Sequence, residues 1–234
     1  MQPTRIARPP DIDGGLDDDV WKTAAVITDF VQQAPLDGSA ATEATEVYLA
    51  YDSQNLYLGF RLHYSDPGLI RANRVDRDQA DQDDLVSVYI DPFLDQQRAY
   101  QFEVNGYGVQ ADSLVNADGS TGNRSSSMSS GSSSSGTASR RSSSGSGLSS
   151  SGALGIRGDD SWNALFDTSG QLVEDGWVAE MAIPFKSLRY PSNDTHRWGF
   201  QVARSIRGKD ETVVWAPVSR DVSGFLPQMG LLDG

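Results

Sequence analysis

The sequence predicts an all-β protein: an antiparallel β-sandwich of two face-to-face sheets, immunoglobulin-like or jelly-roll-like, with a long disordered Ser/Gly-rich loop insertion. Three observations carry that expectation. Apolar and polar residues alternate with period two over most of the chain. The alternating runs are short and separated by Asp, Asn, Gly, Ser and Pro. Helical periodicity is nearly absent, which suits two sheets packed face to face.

The elements follow in chain order. Asp17–Ala25 suits one or two helical turns, with Asp17 as cap and Trp21 packing inward. Thr45–Tyr51 sets Val47 and Leu49 on one face and Tyr48 and Ala50 on the other; Asp52-Ser-Gln-Asn55 then turns the chain. Leu56, Leu58, Phe60 and Leu62 point inward from Leu56–Tyr64, with Arg61 and His63 outward. Val86, Val88 and Ile90 form the next inner face, with Ser87 and Tyr89 outward. Asp91–Gln97 is a loop, and Ala99–Asn105 returns with Tyr100, Phe102 and Val104 inward and Gln101 and Glu103 outward. Gly106-Tyr-Gly108 turns into Val109–Val115. Further strands are expected at Trp162–Asp167, Gly176–Ile183, Trp198–Ile206, Thr212–Trp215 and, shortest, Phe225–Leu231, with a single turn at Pro184–Leu188.

Residues 120–155 break this pattern. Eighteen of the 36 are Ser and seven are Gly, too little apolar surface to offset the entropy of ordering them. The tract reads as a flexible insertion inside one domain spanning 1–234, because the piece after it is too small to be a stable sheet alone. The expected placement is within a long hairpin.

Composition removes several function classes. The formal net charge of −13 argues against a nucleic-acid partner, which needs clustered Lys and Arg. With no Cys there are no disulfides, thiolate zinc sites, iron–sulfur clusters or Cys nucleophiles. His63 and His196 are the only histidines, too few for a His-rich metal centre. No apolar run reaches the roughly 20 residues of a membrane-spanning helix. The first residues, Met1-Gln-Pro-Thr-Arg5, lack the apolar core of a signal peptide. Serine-hydrolase, zinc-protease and phosphate-loop motifs are missing, so no enzymatic activity is expected.

Five segments, in order, carry a resemblance. Asp13-Gly-Gly-Leu-Asp-Asp-Asp-Val-Trp21 resembles the Asp-Gly…Trp opening of carbohydrate-binding module family 9 and its relatives. Val47-Tyr-Leu-Ala-Tyr-Asp52 with Leu56-Tyr-Leu-Gly-Phe60 is similar to the family's first hairpin. Asp83–Asp91 with Tyr100–Asn105 resembles its central pair, Gly176–Phe185 its late strand ending in Ile-Pro-Phe, and Trp198–Arg204 the strand after it. More closely, the chain resembles amino-terminal modules of large bacterial proteins that precede an outer-membrane β-barrel. The resemblance implies a non-catalytic carbohydrate-binding module of an exported protein, periplasmic or at the cell surface. It also implies a downstream barrel in the same polypeptide and calcium as a possible cofactor. Two alternatives stay open: a structural or protein-interaction module without sugar affinity, and a haem-binding domain, for which His63, His196, Met181 and Met229 would supply axial ligands.

Sugar recognition needs aromatic rings to stack on apolar pyranose faces and polar groups for the hydroxyls. Trp21, Trp177 and Trp198 sit among apolar strand neighbours and read as core. Trp162 and Trp215 lie near strand ends, where loops build sites, and are the ring candidates. Arg61, Tyr89, Arg98, Gln101, Glu103, Asn105 and Arg204 are the polar candidates, expected on outward strand faces. The acidic run Asp76-Arg-Asp-Gln-Ala-Asp-Gln-Asp-Asp84 offers oxygen ligands suited to calcium at Asp76, Asp78, Asp81 and Asp83, without the spacing of an EF-hand.

Overall fold

Strands from both sides of the serine-rich tract share each of two sheets in the computed structural model. The structure describes residues 1–117, 152–156, 158–193, 195–219 and 221–234; the tract, and the flexibility expected of it, lies outside these apart from residues 152–155. The first sheet contains β1 (Thr4–Arg5), β2 (Ala25–Ile27), β4 (Thr45–Tyr51), β5 (Asn55–His63), β9 (Asp167–Val173) and β10 (Gly176–Pro184). Its order is β1-β4-β5-β10-β9, with β2 also on β4. The second contains β3 (Val31–Ala34), β6 (Leu85–Asp91), β7 (Arg98–Asn105), β8 (Gln110–Asn116), β11 (Arg197–Ile206), β12 (Glu211–Val214) and β13 (Gly230–Asp233). It runs β3-β12-β11-β6-β7-β8, with β13 also on β11. All pairings are antiparallel except the short β1–β4 contact.

The inner faces follow the alternation. Leu58, Phe60 and Leu62 meet Val86, Val88 and Phe102 across the sandwich, all fully buried in one cluster with Met181, Phe200 and Val202. Trp21, Trp177 and Trp198 are 3%, 0% and 5% exposed, as core residues should be. The Asp52 turn forms as its chemistry dictates: its carboxylate accepts from Gln54 N at 2.7 Å and Asn55 N at 2.8 Å.

Several local expectations give way to side-chain competition. Trp162–Phe166 is not a strand, because Asp112 takes the Ala164 N–H at 2.6 Å and Gln110 donates to Phe166 O at 2.8 Å. Regular pairing begins at Asp167. Phe225–Leu231 splits into a 3₁₀ turn at Leu226–Gln228 and β13, since Pro227 has no N–H for a ladder. Helix α1 (Asp19–Thr23) starts after Asp18, whose carboxylate accepts from Asp11 N and leaves the helix end uncapped. Strands β1, β2 and β3 are too short for alternation to show. Finally, β8 and β9 are outer strands of different sheets, so the tract joins one sheet to the other and does not lengthen a hairpin.

Candidate functional site

One end of the sandwich opens into a cleft of about 900 Å³. The β6–β7 loop, the start of β7, the end of β8 and residues Trp162 and Arg189 form it. Each wall has a local cause. Asp91, nearly fully buried, accepts from Phe93 N at 3.1 Å, Leu94 N at 3.0 Å and Gln96 N at 3.0 Å. This carboxylate organises a tight loop with left-handed backbone at Leu94 and Gln96 and presents Phe93, 52% exposed, at the rim. Burial pushes the Asp91 carboxyl up despite those donors.

Trp162 is held by its own turn. Asp159 bridges to Leu114 on β8 through two backbone bonds of 3.1 and 2.9 Å, and its carboxylate accepts from Ser161 N and Oγ. The indole then lies against Tyr100, centroids 4.9 Å apart, and edge-on to Phe102 at 5.8 Å. The Tyr100 hydroxyl accepts from Arg189 N at 3.2 Å, which fixes the opposite lip. Arg98 faces Asn116 across the β7–β8 pair, and both line the cleft. Half-buried rings beside guanidinium and carboxamide groups can stack on an apolar ring face while donating to oxygen.

The other candidates are dispersed. Trp215 packs on Phe200, centroids 5.8 Å apart, and leaves no space for a Cβ at Gly230. Arg61 pairs with Asp175 at 2.7 Å beside a separate shallow recess. Tyr89, Gln101 and Glu103 do lie on the outer face of the second sheet, but that face is not solvated. Residues 152–156 and Phe225–Met229 cover it: Ala153 N donates to Ser87 Oγ at 2.9 Å and Tyr89 meets Phe225 at 4.8 Å. The cover lies so close that a Cβ at Gly152 would be 1.9 Å from Gln101 Nε2. Asn105 is also buried, its amide donating to Asn73 O and Asp83. Arg204 is not outward at all. It shares the inner phase of Phe200, Val202 and Ile206 and is fully buried between the sheets.

The acidic run does not converge either. Asp83 is buried and accepts from Asn73 N, Asn73 Nδ2 and Asn105 Nδ2. Asp78 accepts from Asp112 N, Asp81 from Gln82, and Asp76 is exposed. Among the described residues no three His, Asp or Glu side chains are arranged to hold a metal ion, so these four aspartates do not fit a calcium shell. The haem candidates are similarly scattered: Met181 is in the core, and His63 and His196 lie at opposite ends of the strands.

Sequence and structure comparisons agree with this architecture. The sequence profile of the carbohydrate family 9 binding domain-like family matches residues 12–214. The chain belongs to that family. Comparison with curated proteins finds no match. Among solved structures, a family 9 module of Caldicellulosiruptor kristjanssonii in complex with cellotriose aligns with a TM-score of 0.59 and 16% identity, over 99% of this chain and 92% of that one. The same organism's family 9 module in complex with glucose gives 0.58 and 15%, over 98% and 94%. A Bacteroides uniformis protein provisionally described as carbohydrate-binding gives 0.63 and 14%, over 100% and 97%. At these identities the likeness is one of fold.

Family 9 membership also gives the opening motif a physical meaning. Glu180 on β10, fully buried, accepts from Asp13 N at 3.0 Å, Gly14 N at 2.8 Å and Trp21 Nε1 at 2.8 Å. The motif thus clasps the first sheet. Gly14 sits at φ +96°, and a Cβ there would be 3.0 Å from Gly170 N.

Of the cleft residues, Phe93, Tyr100 and Arg189 escape sequence reading. Phe93 carried a usable signal as a bulky aromatic inside a polar loop. Tyr100 was hidden by its in-phase position among core residues. Asp91→Ala is expected to orphan three loop N–H groups, cost about 1–3 kcal/mol and loosen the cleft rim. Chemical denaturation and hydrogen exchange of residues 93–97 would measure both effects.

Proposed function

We propose that this chain is a non-catalytic carbohydrate-binding module that holds a saccharide in the cleft formed by Trp162, Tyr100, Phe93, Arg98 and Arg189. The observation that carries the reading is the Trp162–Tyr100 ring pair at the wall of an open cleft of about 900 Å³ with polar groups around it. Family 9 membership and the two saccharide complexes of similar structure support it. No step of chemistry is needed: rings supply apolar contact and Arg98, Arg189 and Asn116 supply hydrogen bonds to sugar oxygens. We extend the reading to an exported polypeptide, periplasmic or at the cell surface, with a membrane barrel downstream; the ordered family motifs support it, and cell fractionation of the full-length protein tests it.

Calorimetric titration with glucose and cellotriose tests the binding itself. Saturable binding is expected, and Trp162→Ala should weaken it at least tenfold, the equivalent of about 1.4 kcal/mol. Arg61→Gln, in a different recess, should leave affinity unchanged. Flat titrations across neutral and acidic saccharides, or a Trp162→Ala variant that binds as tightly as the parent, would overturn the assignment. Such flat titrations would favour the protein-interaction reading.

A further inference from the structure

We infer that the cleft selects acidic saccharides, with Arg98 and Arg189 receiving the carboxylate of a uronate unit. This deepens the reading of the cleft as a saccharide site and rests on it. Five arginines outside the cleft are occupied by acids or backbone, and Arg74 lies over the Tyr107 ring; Arg5, Arg8 and Arg71 are exposed away from the cleft and, among the described residues, join no ion pair. Arg61 pairs with Asp175, Arg77 with Asp112 and Arg197 with Asp233. Arg207 donates to Asp81 O and Asp83 O, and Arg204 is enclosed between the sheets. The chain has 32 acidic residues and a net charge of −13, so carboxylates are abundant. Yet Arg98 and Arg189, both exposed at the cleft, join no ion pair among the described residues.

The one acid lining the cleft does not answer them. Asp95 accepts from Gln97 N at 2.9 Å, capping its own turn. The cleft therefore holds two guanidinium groups against one carboxylate on a strongly negative protein. The backbone of each is held beside the cleft: Arg98 opens β7 opposite Asn116, and the Arg189 N–H donates to the Tyr100 hydroxyl. A neutral sugar needs no fixed positive charge. A uronate presents an apolar ring face for Trp162 and, at one edge, a planar carboxylate that matches the guanidinium fork.

Cellotriose and its C6-carboxylated counterpart form a matched pair for calorimetry on the intact chain. The acidic trimer is expected to bind at least tenfold more tightly. Arg98→Gln and Arg189→Gln should each bring the affinity ratio between the two trimers down towards one, while circular dichroism shows an unchanged fold. Equal affinities, or tighter binding of the neutral trimer, would overturn the acidic selectivity and leave saccharide binding intact. Arginine variants that weaken both trimers equally would overturn it too. Binding of neither trimer would overturn both this inference and the reading beneath it.

Discussion

Arg204→Ala is expected to lower the unfolding free energy by about 3–5 kcal/mol, roughly a fifth or more of the stability of an ordinary domain. Arg204 ties the two sheets together. From β11 its Nη1 donates to Ala44 O and Thr45 Oγ1 at 2.9 Å each, and its Nη2 donates to His63 O at 2.7 Å. The guanidinium carbon lies 5.0 Å from the centre of the Tyr64 ring. The Tyr64 hydroxyl donates to Asp84 at 2.6 Å, and Asp84 also accepts from Arg71 N and Arg207 N. Burial pulls the guanidinium pKa down and pushes the Asp84 carboxyl up. Removing the cation leaves a buried carboxylate without its nearby charge and the His63 carbonyl without its side-chain donor, while Ala44 O keeps only the His63 N–H. Arg204→Lys, with one ammonium for three acceptors, should recover only part of the loss. Arg204→Met combined with Asp84→Asn should cost less than the sum of the two single changes. Urea titrations followed by tryptophan fluorescence would give each value, and a loss under about 1 kcal/mol for Arg204→Ala would refute the account.

Glu180→Ala should cost about 2–4 kcal/mol, because the buried Gly14 N–H and Trp21 Nε1–H lose their acceptor and Asp13 N keeps only Asp11 O. Glu180→Gln should cost less. Its carbonyl oxygen can keep the two backbone donors, but its amide group then faces the Trp21 N–H. The same residue gives a pH dependence. Burial raises the Glu180 pKa to about 7 from 4.5, outweighing the three donors that favour the charged form. A carboxyl with a raised folded-state pKa takes up a proton on folding between those values. Its stabilising contribution is complete below about pH 4.5 and is lost as pH rises through 7. Denaturation at pH 5 and pH 8 should therefore show lower stability at pH 8 by an amount on the order of 3 kcal/mol from this group. The Glu180→Ala variant should show a flatter profile. An identical pH dependence in parent and variant would exclude Glu180 as its source.

The sandwich was legible because inner faces are apolar at every second position within strands of seven to ten residues, as at Leu56–Leu62 in β5 and Val86–Ile90 in β6. Alternation tells which side of a sheet a residue takes. It does not tell what lies above that side. Tyr89, Gln101 and Glu103 were placed on the correct face, but the residues that cover it come from segments far along the chain, at 152–156 and 225–229. Arg204 illustrates a different failure. It was expected on an outward face, whereas it shares the phase of Phe200, Val202 and Ile206, because a charged side chain is rarely buried without partners such as Ala44 O, Thr45 and His63 O, which come from the other sheet. The cleft was half legible: Trp162 and Arg98 meet there, while Phe93, Tyr100 and Arg189 are recruited from a loop, a core-phased strand position and a connection, which no local spacing brings together.

The buried charge network and the cleft lie at opposite ends of the same strands. Asp84 precedes β6 and Asp91 ends it, so about seven residues, or roughly 23 Å, separate them. Foldedness is secured at one pole and partner choice is exercised at the other. Side chains around the rings can then be exchanged wholesale, by drift or in a selected library, without loosening the bolts of the scaffold. One framework of this kind can acquire many specificities.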